Sequence, residues 1–244
     1  MPGVAIAYYS DYKTFVYPGI DFGYSVSDHY KLYLNTGYTS RIPTYTNLYY
    51  TSSIEKGNPD LKPEKALTTE VGMYFNNKLL QINVAAFTRK ATDLIDWTKE
   101  NETDPWEAQN FSKILTNGFE FEGKYGFKIH ELPQNINLSY TYIYDSIKDV
   151  NIPFSRYSIN SYKHRVIGQI TTQFFSFLQQ TISYAYSERT NGENYHLFDA
   201  SITTRLKNWK ISYKANNIFS TEYTETNLVL MPKFNFMLEV SYTF

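Results

Sequence analysis

Histidines and clustered acidic residues are the first side chains in this sequence to consider for chemistry. The four histidines lie far apart along the chain, and no pair has the spacing of metal ligands. They are His29, His130, His164 and His196. Carboxylates that could attract a cation are concentrated between residues 93 and 104: Asp93, Asp96, Glu100, Glu102 and Asp104. A solvated loop is the ordinary reason for such charge. We predict no resident metal and no cofactor.

A serine–histidine pair is the one candidate for nucleophilic catalysis. His164 and Ser183 fall on neighbouring predicted strands, which makes a hydrolase an alternative reading. The chain has many serines, however, and such pairs arise easily by chance. It has no Gly-x-Ser-x-Gly elbow and no phosphate-binding glycine loop. The absence of cysteine excludes thiolate metal sites and cysteine nucleophiles. We therefore predict that the protein is not an enzyme.

Composition limits the partners and the fold class. Aromatic residues make up 18% of the 244 residues, and the net charge is -1. Affinity for nucleic acid depends on Lys and Arg that neutralise phosphates, so this charge argues against a nucleic-acid partner. No apolar run approaches the roughly 18 to 20 residues of a membrane-spanning helix. Aromatic enrichment instead favours pleated surfaces that are half buried.

The elements that position these residues are strands, because apolar and polar residues alternate with period two along most of the chain. The last segment is the clearest example, with one apolar face formed by Phe236, Leu238, Val240, Tyr242 and Phe244. No convincing amphipathic helix is found. The pattern predicts about twelve strands, at 3–9, 14–26, 30–40, 65–75, 79–98, 113–128, 135–146, 163–174, 178–187, 196–206, 209–217 and 233–244.

Strand length and loop alternation favour a transmembrane β-barrel. Many strands reach the roughly nine to eleven residues that a tilted membrane strand needs, whereas soluble sheets favour about five or six. Short connections, which would be periplasmic, lie near 27–29, 76–78, 129–134, 175–177 and 207–208. Longer connections, which would be extracellular, lie near 41–64, 99–112, 147–162, 188–195 and 218–232. The connection near 10–13 breaks this pattern by being short. A soluble two-sheet sandwich would alternate in the same way, so it remains the structural alternative.

Several segments carry a family resemblance. GYTSRIPTYTNLYY, GNPDLKPEKALTTEVGMYF and LLQINVAAFTRKATDLIDW, between residues 37 and 97, resemble the barrel of TonB-dependent outer-membrane receptors. NGFEFEGKYGF (117–127) and NNIFSTEYTE (216–225), with the closing VSYTF, resemble later strands of the same family. The matching positions of the first three segments are Arg41, Pro43, Tyr49, Gly57, Asn58, Pro59, Leu61, Pro63, Glu64, Glu70, Gly72, Tyr74, Phe87, Asp93, Ile95 and Trp97.

The resemblance implies an all-β, antiparallel up-and-down transmembrane barrel. Barrels of this family have 22 strands and a plugged lumen, so residues 1–244 are expected to be the C-terminal part, an incomplete and open barrel that lacks the plug domain and the signal peptide. Strands 3–9 and 233–244 should therefore not pair with each other. The full-length parent is expected in the Gram-negative outer membrane, where it takes up a scarce nutrient, siderophore-iron or cobalamin, with energy from TonB acting through the missing N-terminal part. A passive small porin and, less favoured, an outer-membrane hydrolase are the alternative functions.

Several residues receive expected roles on this basis. The candidate ligand contacts are the loop aromatics Tyr45, Tyr49, Tyr50, Trp97 and Trp106. Interfacial anchoring or loop packing is the alternative role for these residues. Leu238, Tyr242 and Phe244 are the expected signal for the barrel assembly machinery, and membrane lipid is a further expected partner. Gly57 is expected to adopt a positive φ, and Glu64 and Glu70 to face away from Leu67, Val71 and Met73. The GNPDLKPE turn is expected to position a loop rather than to bind ligand.

Overall fold

A computed structural model describes residues 1–111, 113–148, 154–156, 162–225 and 229–244. Its long sheet contains twelve antiparallel strands whose order follows the chain, which confirms the predicted all-β fold. These strands are β1 (Pro2–Tyr9), β2 (Lys13–Ser25), β3 (Tyr30–Arg41), β5 (Glu64–Asn76), β6 (Leu80–Thr92), β9 (Lys113–Ile129), β10 (Leu132–Lys148), β12 (Tyr162–Phe175), β13 (Leu178–Arg189), β14 (Asn194–Leu206), β15 (Trp209–Asn216) and β16 (Asn235–Tyr242).

The strand order is open. It begins with β1 and ends with β16, and no ladder between described residues joins these two strands. The prediction that the first and last strands do not pair is therefore confirmed, as is the prediction of an incomplete barrel.

A second, four-stranded sheet was not predicted. It is formed by β4 (Glu55–Lys56), β7 (Leu94–Lys99), β8 (Trp106–Phe111) and β11 (Phe154–Ser155), in the order β11-β7-β8-β4. The prediction of one strand over 79–98 is wrong, because Asp93 has a φ of 55° and separates β6 from β7, which joins the short sheet. The predicted loop 99–112 likewise contains β8. Most of the predicted loop 147–162 lies outside the described residues.

One short helix, α1 (Tyr45–Tyr49), precedes β4. It was also not predicted, because five residues are too few to show a helical period. Thr44 caps it, and the Thr44 side chain and the Asn47 side chain each accept a hydrogen bond from the other residue's backbone N–H. Among the described residues, no helix is long and apolar enough to cross a membrane.

The chain separates into two compact units. Unit 1 comprises Met1–Met73, Ala85–Phe119 and Ile143–Ser161, and it contains β1 to β3, α1 and the short sheet. Unit 2 comprises Tyr74–Val84, Glu120–Tyr142 and Tyr162–Phe244, and it contains β12 to β16. Each unit is described by itself below.

Apolar rows cross the strands of unit 2 in register. Ile136 lies opposite Ile170, and Ile170 lies opposite Ile182. Their side chains, with those of two neighbours, form a surface that we call the aliphatic band: Ile136, Leu138, Ile170, Ile182 and Ile202. The band residues are between 39% and 53% exposed, so the band is not packed inside a two-sheet sandwich.

The opposite face of the same strands is polar. Asn137 lies opposite Gln169, which lies opposite Ser183, and Ser183 lies opposite Asp199. The amide of Asn137 donates a hydrogen bond to Oε1 of Gln169 at 3.1 Å. Each strand therefore has one aliphatic and one polar face, as the alternation of residues predicts.

Unit 1 shows the same division of faces in β5. Leu67 and Val71 are about half exposed, whereas Glu64 is buried and Glu70 is partly buried. The prediction that the glutamates and these apolar residues occupy opposite faces of the strand is thus confirmed.

Candidate functional site

A buried carboxylate joins three elements of unit 1. Nε of Arg41 donates to Oε2 of Glu64 at 2.8 Å, and Nη2 of Arg41 donates to Oε1 at 2.5 Å. The backbone N–H of Ile95 donates to the same Oε1 at 2.7 Å. A bidentate arginine–carboxylate pair has a fixed geometry. Glu64 therefore holds the end of β3, the start of β5 and the start of β7 together.

Gly57 allows two backbone segments to approach each other. Its N–H donates to the carbonyl oxygen of Tyr50 at 2.7 Å, and the neighbouring Asn58 N–H donates to the carbonyl oxygen of Asn47 at 2.8 Å. A Cβ atom at Gly57 would lie 2.9 Å from Leu48 C and from Tyr50 O. The expected positive φ is wrong, since Gly192 is the one glycine with positive φ among the described residues. Close packing, and not a left-handed conformation, requires glycine here.

The rest of the GNPDLKPE turn is fixed against the short sheet. Leu61 is buried, and the backbone N–H of Lys62 donates to Oδ1 of Asn110 at 2.7 Å. Nδ2 of Asn110 donates to the carbonyl oxygens of Lys62 and Asp93, each at 2.8 Å. These contacts support a role for the turn in loop positioning. Among the family-motif prolines, Pro43 is buried, Pro63 is partly buried and Pro59 is exposed.

A small hydrophobic core lies between the turn and the short sheet. We call it the loop cluster: Leu61, Ile95, Trp97 and Ala108, with Leu48 and Trp106 packed against them. Trp97 in β7 lies opposite Ala108 in β8 and is only 5% exposed. The packing alternative therefore accounts for Trp97, and its contact with a ligand remains a prediction that this burial does not favour.

Arg156 covers the loop cluster. Its guanidinium carbon lies 4.7 Å from the ring centroid of Trp106 and 5.8 Å from that of Trp97. Its Nη1 donates to Oε1 of Glu55 at 2.5 Å, and its backbone N–H donates to the carbonyl oxygen of Trp97 at 3.1 Å. Nζ of Lys99 lies 5.0 Å from the Trp106 centroid. Trp106 is thus in contact with two cations, which limits the ring face that it can offer to a ligand.

The three loop tyrosines, in contrast, are open. Tyr45, Tyr49 and Tyr50 are 78%, 55% and 47% exposed. The rings of Tyr45 and Tyr49 meet at a centroid distance of 4.9 Å, as residues four apart on a helix can. Burial raises the pKa of Tyr12, and the charges of Tyr49 and Asp11 raise it further.

A polar cavity of about 280 Å³ lies beside β7 and β8. Its lining includes Thr98, Lys99, Glu100, Glu107 and Gln109. Lys99 Nζ donates to the carbonyl oxygen of Glu102, and Lys56 forms a 3.0 Å ion pair with Glu107. No three His, Asp or Glu side chains within the described ranges are grouped to hold a metal ion.

The proposed serine–histidine pair is not assembled. The two residues do lie on neighbouring strands, but Ser183 is opposite Gln169 in the ladder, five residues from His164. Nδ1 of His164 is 2.9 Å from the hydroxyl of Tyr140 on the aliphatic face, whereas Ser183 belongs to the polar face. The two side chains lie on opposite faces of the sheet, so this arrangement does not support the less favoured hydrolase alternative.

The C-terminal residues are exposed. Leu238 and Tyr242 belong to β16, and Phe244 follows the strand. Tyr242 contacts both Trp209 and Phe244, at centroid distances of 4.8 Å and 5.1 Å. Recognition of these residues by the barrel assembly machinery stays a prediction.

Comparison with known sequences places this arrangement among related proteins. Residues 2–218 match the family model described as TonB dependent receptor-like, beta-barrel. The vitamin B12 transporter BtuB of Vibrio vulnificus is 33% identical over 100 residues, which cover 41% of this chain and 16% of the relative. The same transporter of Photobacterium profundum is 25% identical over 202 residues, covering 82% of this chain and 30% of the relative.

Solved structures share the fold. The copper transporter OprC superposes with a TM-score of 0.75 at 17% identity, over 95% of this chain and 40% of that chain. The siderophore receptor PirA of Acinetobacter baumannii gives a TM-score of 0.73 at 16% identity, over 100% of this chain and 43% of that chain. The present chain therefore spans less than half the length of each of these proteins.

Proposed function

Because this chain belongs to the TonB-dependent receptor-like β-barrel family, we propose that it forms the C-terminal part of the barrel of an outer-membrane receptor for a scarce nutrient. Uptake is energised through TonB in the full-length parent, by way of the part that precedes these strands. The nutrient belongs to the siderophore-iron or cobalamin class, which the related vitamin B12 transporters and siderophore receptors support.

The aliphatic band is the observation that carries the membrane location. Its residues stay about half exposed although they are fully apolar, and Ile136, Ile170 and Ile182 are aligned across three strands. Continuous apolar patches of this kind are rare on soluble monomers and mark contact with lipid or with another protein. β12 has 14 residues and β13 has 12, more than the roughly nine to eleven that a tilted strand needs to cross a bilayer.

The connections give the orientation. Turns of a few residues join β2 to β3, β9 to β10, β12 to β13 and β14 to β15. Periplasmic turns are short in bacterial outer-membrane barrels and extracellular loops are longer. In this orientation, α1 and the short sheet belong to the extracellular mouth, where a nutrient first meets the receptor.

The exposed tyrosines supply the ligand contact. Tyr45, Tyr49 and Tyr50 offer large, rigid and amphipathic surfaces beside one another. Such faces suit the flat, unsaturated surface of a corrin ring or of an aromatic siderophore. Leu48 of α1 packs against the loop cluster, and the tyrosine faces stay exposed.

A binding experiment on the full-length parent tests this proposal. We expect combined Tyr45→Ala, Tyr49→Ala and Tyr50→Ala substitutions to weaken binding of cyanocobalamin or of a ferric siderophore about tenfold or more, since hot-spot tyrosines contribute at least this much. Tyr24→Ala is the matched control, because Tyr24 is similarly exposed but lies next to a short turn. Unchanged affinity in the triple variant, or equal loss in the control, would contradict the assignment.

A passive small barrel is the second candidate, because the long sheet carries a polar face from Asn137 to Asp199 that could line a pore. Planar-bilayer recordings of the isolated 244-residue chain separate the two functions. Stable conductance steps would favour the pore, and a silent bilayer that contains inserted chain would favour the receptor.

A further inference from the structure

Two tyrosine–histidine pairs repeat the same geometry on unit 2. The hydroxyl of Tyr140 lies 2.9 Å from Nδ1 of His164, and the hydroxyl of Tyr184 lies 2.8 Å from Nδ1 of His196. In each pair the imidazole also contacts a second tyrosine two residues further along the strand, at a centroid distance of 5.0 Å. We call Tyr140, Tyr142, His164, Tyr184, Tyr186 and His196 the tyrosine–histidine belt.

The belt borders the aliphatic band on the side of the long connections. Tyr140 lies two residues beyond Leu138 on β10, and Tyr184 lies two residues beyond Ile182 on β13. His164 is opposite Tyr142 in the ladder, and His196 is opposite Tyr186. Each histidine therefore lies two residues, roughly 7 Å along the strand, further from the band than the tyrosine whose hydroxyl contacts it.

Three hydroxyl groups of the belt share one direction. Tyr140 and Tyr184 reach the histidines of the next row away from the band, and the hydroxyl of Tyr186 donates to Oε2 of Glu188 at 2.8 Å, again away from the band. Amphipathic side chains behave in this way where an apolar layer meets a polar one. The belt therefore marks the level at which hydrocarbon gives way to polar headgroups, which rests on the proposed membrane location.

Each tyrosine hydroxyl is placed to donate to Nδ1 of its histidine, and a hydroxyl can act as donor or acceptor. When the hydroxyl donates to Nδ1, the neutral imidazole carries its proton on Nε2, because a neutral ring has one donor and one acceptor nitrogen. Nε2 is then the one hydrogen-bond donor of the ring, on the side away from the tyrosine. His196 is exposed and His164 is partly exposed, so both rings can be reached from outside the sheet.

From this geometry we propose that the belt binds the phosphate groups of membrane lipids, with Nε2–H of His164 and of His196 donating to phosphate oxygens. Tyr140 and Tyr184 act as positioning residues that fix the tautomer. A phosphate oxygen is the strongest acceptor at the headgroup level, and a hydrogen bond to a charged acceptor is stronger than one to a neutral ester. Glu188, which lies opposite His164 in the ladder, is already engaged by Tyr186 and by Lys163, whose Nζ is 3.9 Å away.

Spin-labelled lipids in vesicles test this proposal with the full 244-residue chain. The probes are phosphatidic acid and diacylglycerol, which differ only in the phosphate group. Electron paramagnetic resonance gives the association of each probe with the protein. We expect wild type to associate more strongly with phosphatidic acid than with diacylglycerol. The double variant His164→Phe with His196→Phe keeps an aromatic ring at both positions, and it should reduce the ratio of the two associations about fivefold. The double variant Tyr140→Phe with Tyr184→Phe should reduce this preference for phosphatidic acid by a smaller factor.

His29→Phe is the control, since His29 lies beside the short turn between β2 and β3. An unchanged preference in the double histidine variant, or an equal loss in the control, would overturn the phosphate proposal alone. If the double histidine variant lost association with diacylglycerol and with phosphatidic acid equally, the cause would be a packing defect, and the phosphate proposal would also be overturned. If the full-length wild-type parent fails to float with the vesicles, the membrane location itself is wrong, and both proposals fail.

Discussion

The loop cluster of unit 1 and the aliphatic band of unit 2 place apolar side chains on strands in opposite ways. Ile95 and Trp97 of the loop cluster are 6% and 5% exposed, whereas Ile170 and Ile182 of the band are 53% and 48% exposed. The charged groups around the loop cluster are compensated within the protein, since Arg156 is paired with Glu55 and Glu64 with Arg41. The band has no such partners among its residues, because all of them are aliphatic.

Under the proposed membrane location, this difference corresponds to two surroundings for one chain, water at the loop cluster and lipid at the band. In water, burial of apolar area stabilises a protein by about 25 cal/mol per Å², so a water-exposed loop must assemble its own core. Lipid tails are as apolar as the band, so they can cover it without a second protein layer. The loop cluster is therefore built like a small soluble protein, and the band is built like a membrane surface.

The largest expected effect comes from removing the centre of the loop cluster. Trp97→Ala should lower the free energy of local opening of β7 and β8 by about 3–5 kcal/mol, because a large buried side chain is replaced by a cavity. Amide hydrogen exchange of the backbone N–H groups of β7 and β8 measures this opening.

Trp209→Ala is the matched control in unit 2. Trp209 is 49% exposed, and its ring contacts Tyr242 at 4.8 Å. We expect Trp209→Ala to lower the free energy of local opening around it by only about 1 kcal/mol, the contribution of one aromatic pair. Equal costs for the two tryptophans would show that the loop cluster is not a separate core.

The strands of both regions were predictable, because a two-residue period is a property of consecutive residues. The division of 79–98 into β6 and β7 was not, since it depends on the backbone at Asp93, and Asp is one of the few residues that tolerate a positive φ. A local change of this kind leaves no trace in the pattern of apolar residues. The alternation of apolar and polar residues correctly predicted the two faces of β5. That alternation does not report the backbone conformation of a single residue, so it could not show the break at Asp93.

The candidate site was predictable only as a set of loop aromatics. Whether such a residue is exposed depends on partners that are distant in sequence. Trp97 is buried because Leu61 and Ala108 pack against it and Arg156 covers it. Tyr45 does not belong to the loop cluster and stays exposed. Sequence spacing alone could not separate these two cases.

A charge in the aliphatic band should produce the next largest effect. Ile182→Lys is expected to destabilise the chain folded in lipid vesicles by about 2–4 kcal/mol, because a lysine near the middle of a bilayer loses its hydration. Urea unfolding followed by circular dichroism measures the change.

Ser183→Lys supplies the comparison within one strand. Ser183 is the next residue on β13, lies on the polar face and is opposite Asp199 in the ladder. We expect a change within about 0.5 kcal/mol, as for an ordinary surface substitution. If Ser183→Lys were the costly variant and Ile182→Lys the neutral one, the lipid and polar faces would be exchanged, and the comparison between the two regions would fail.

The smallest expected effect tests whether Arg156 belongs to the loop cluster as a packed part or only covers it. Arg156→Ala removes a cation–π contact with Trp106 and a partly buried ion pair with Glu55, which together should lower the opening free energy of β7 and β8 by about 1–2 kcal/mol. Arg156→Lys keeps the charge but loses the planar stack, so it should fall between wild type and Arg156→Ala. Amide hydrogen exchange in β7 and β8 again gives the change.

Arg205→Ala is the control for this last substitution. It removes an exposed arginine of β14 that is hydrogen-bonded to Gln179, and it should leave exchange in β7 and β8 unchanged. The guanidinium of Arg156 lies over the rings and not between backbone strands, so its loss should leave the strand ladder intact. A loss as large as that of Trp97→Ala would therefore mean that Arg156 holds the short sheet together, and that the loop cluster depends on charge as much as on apolar burial.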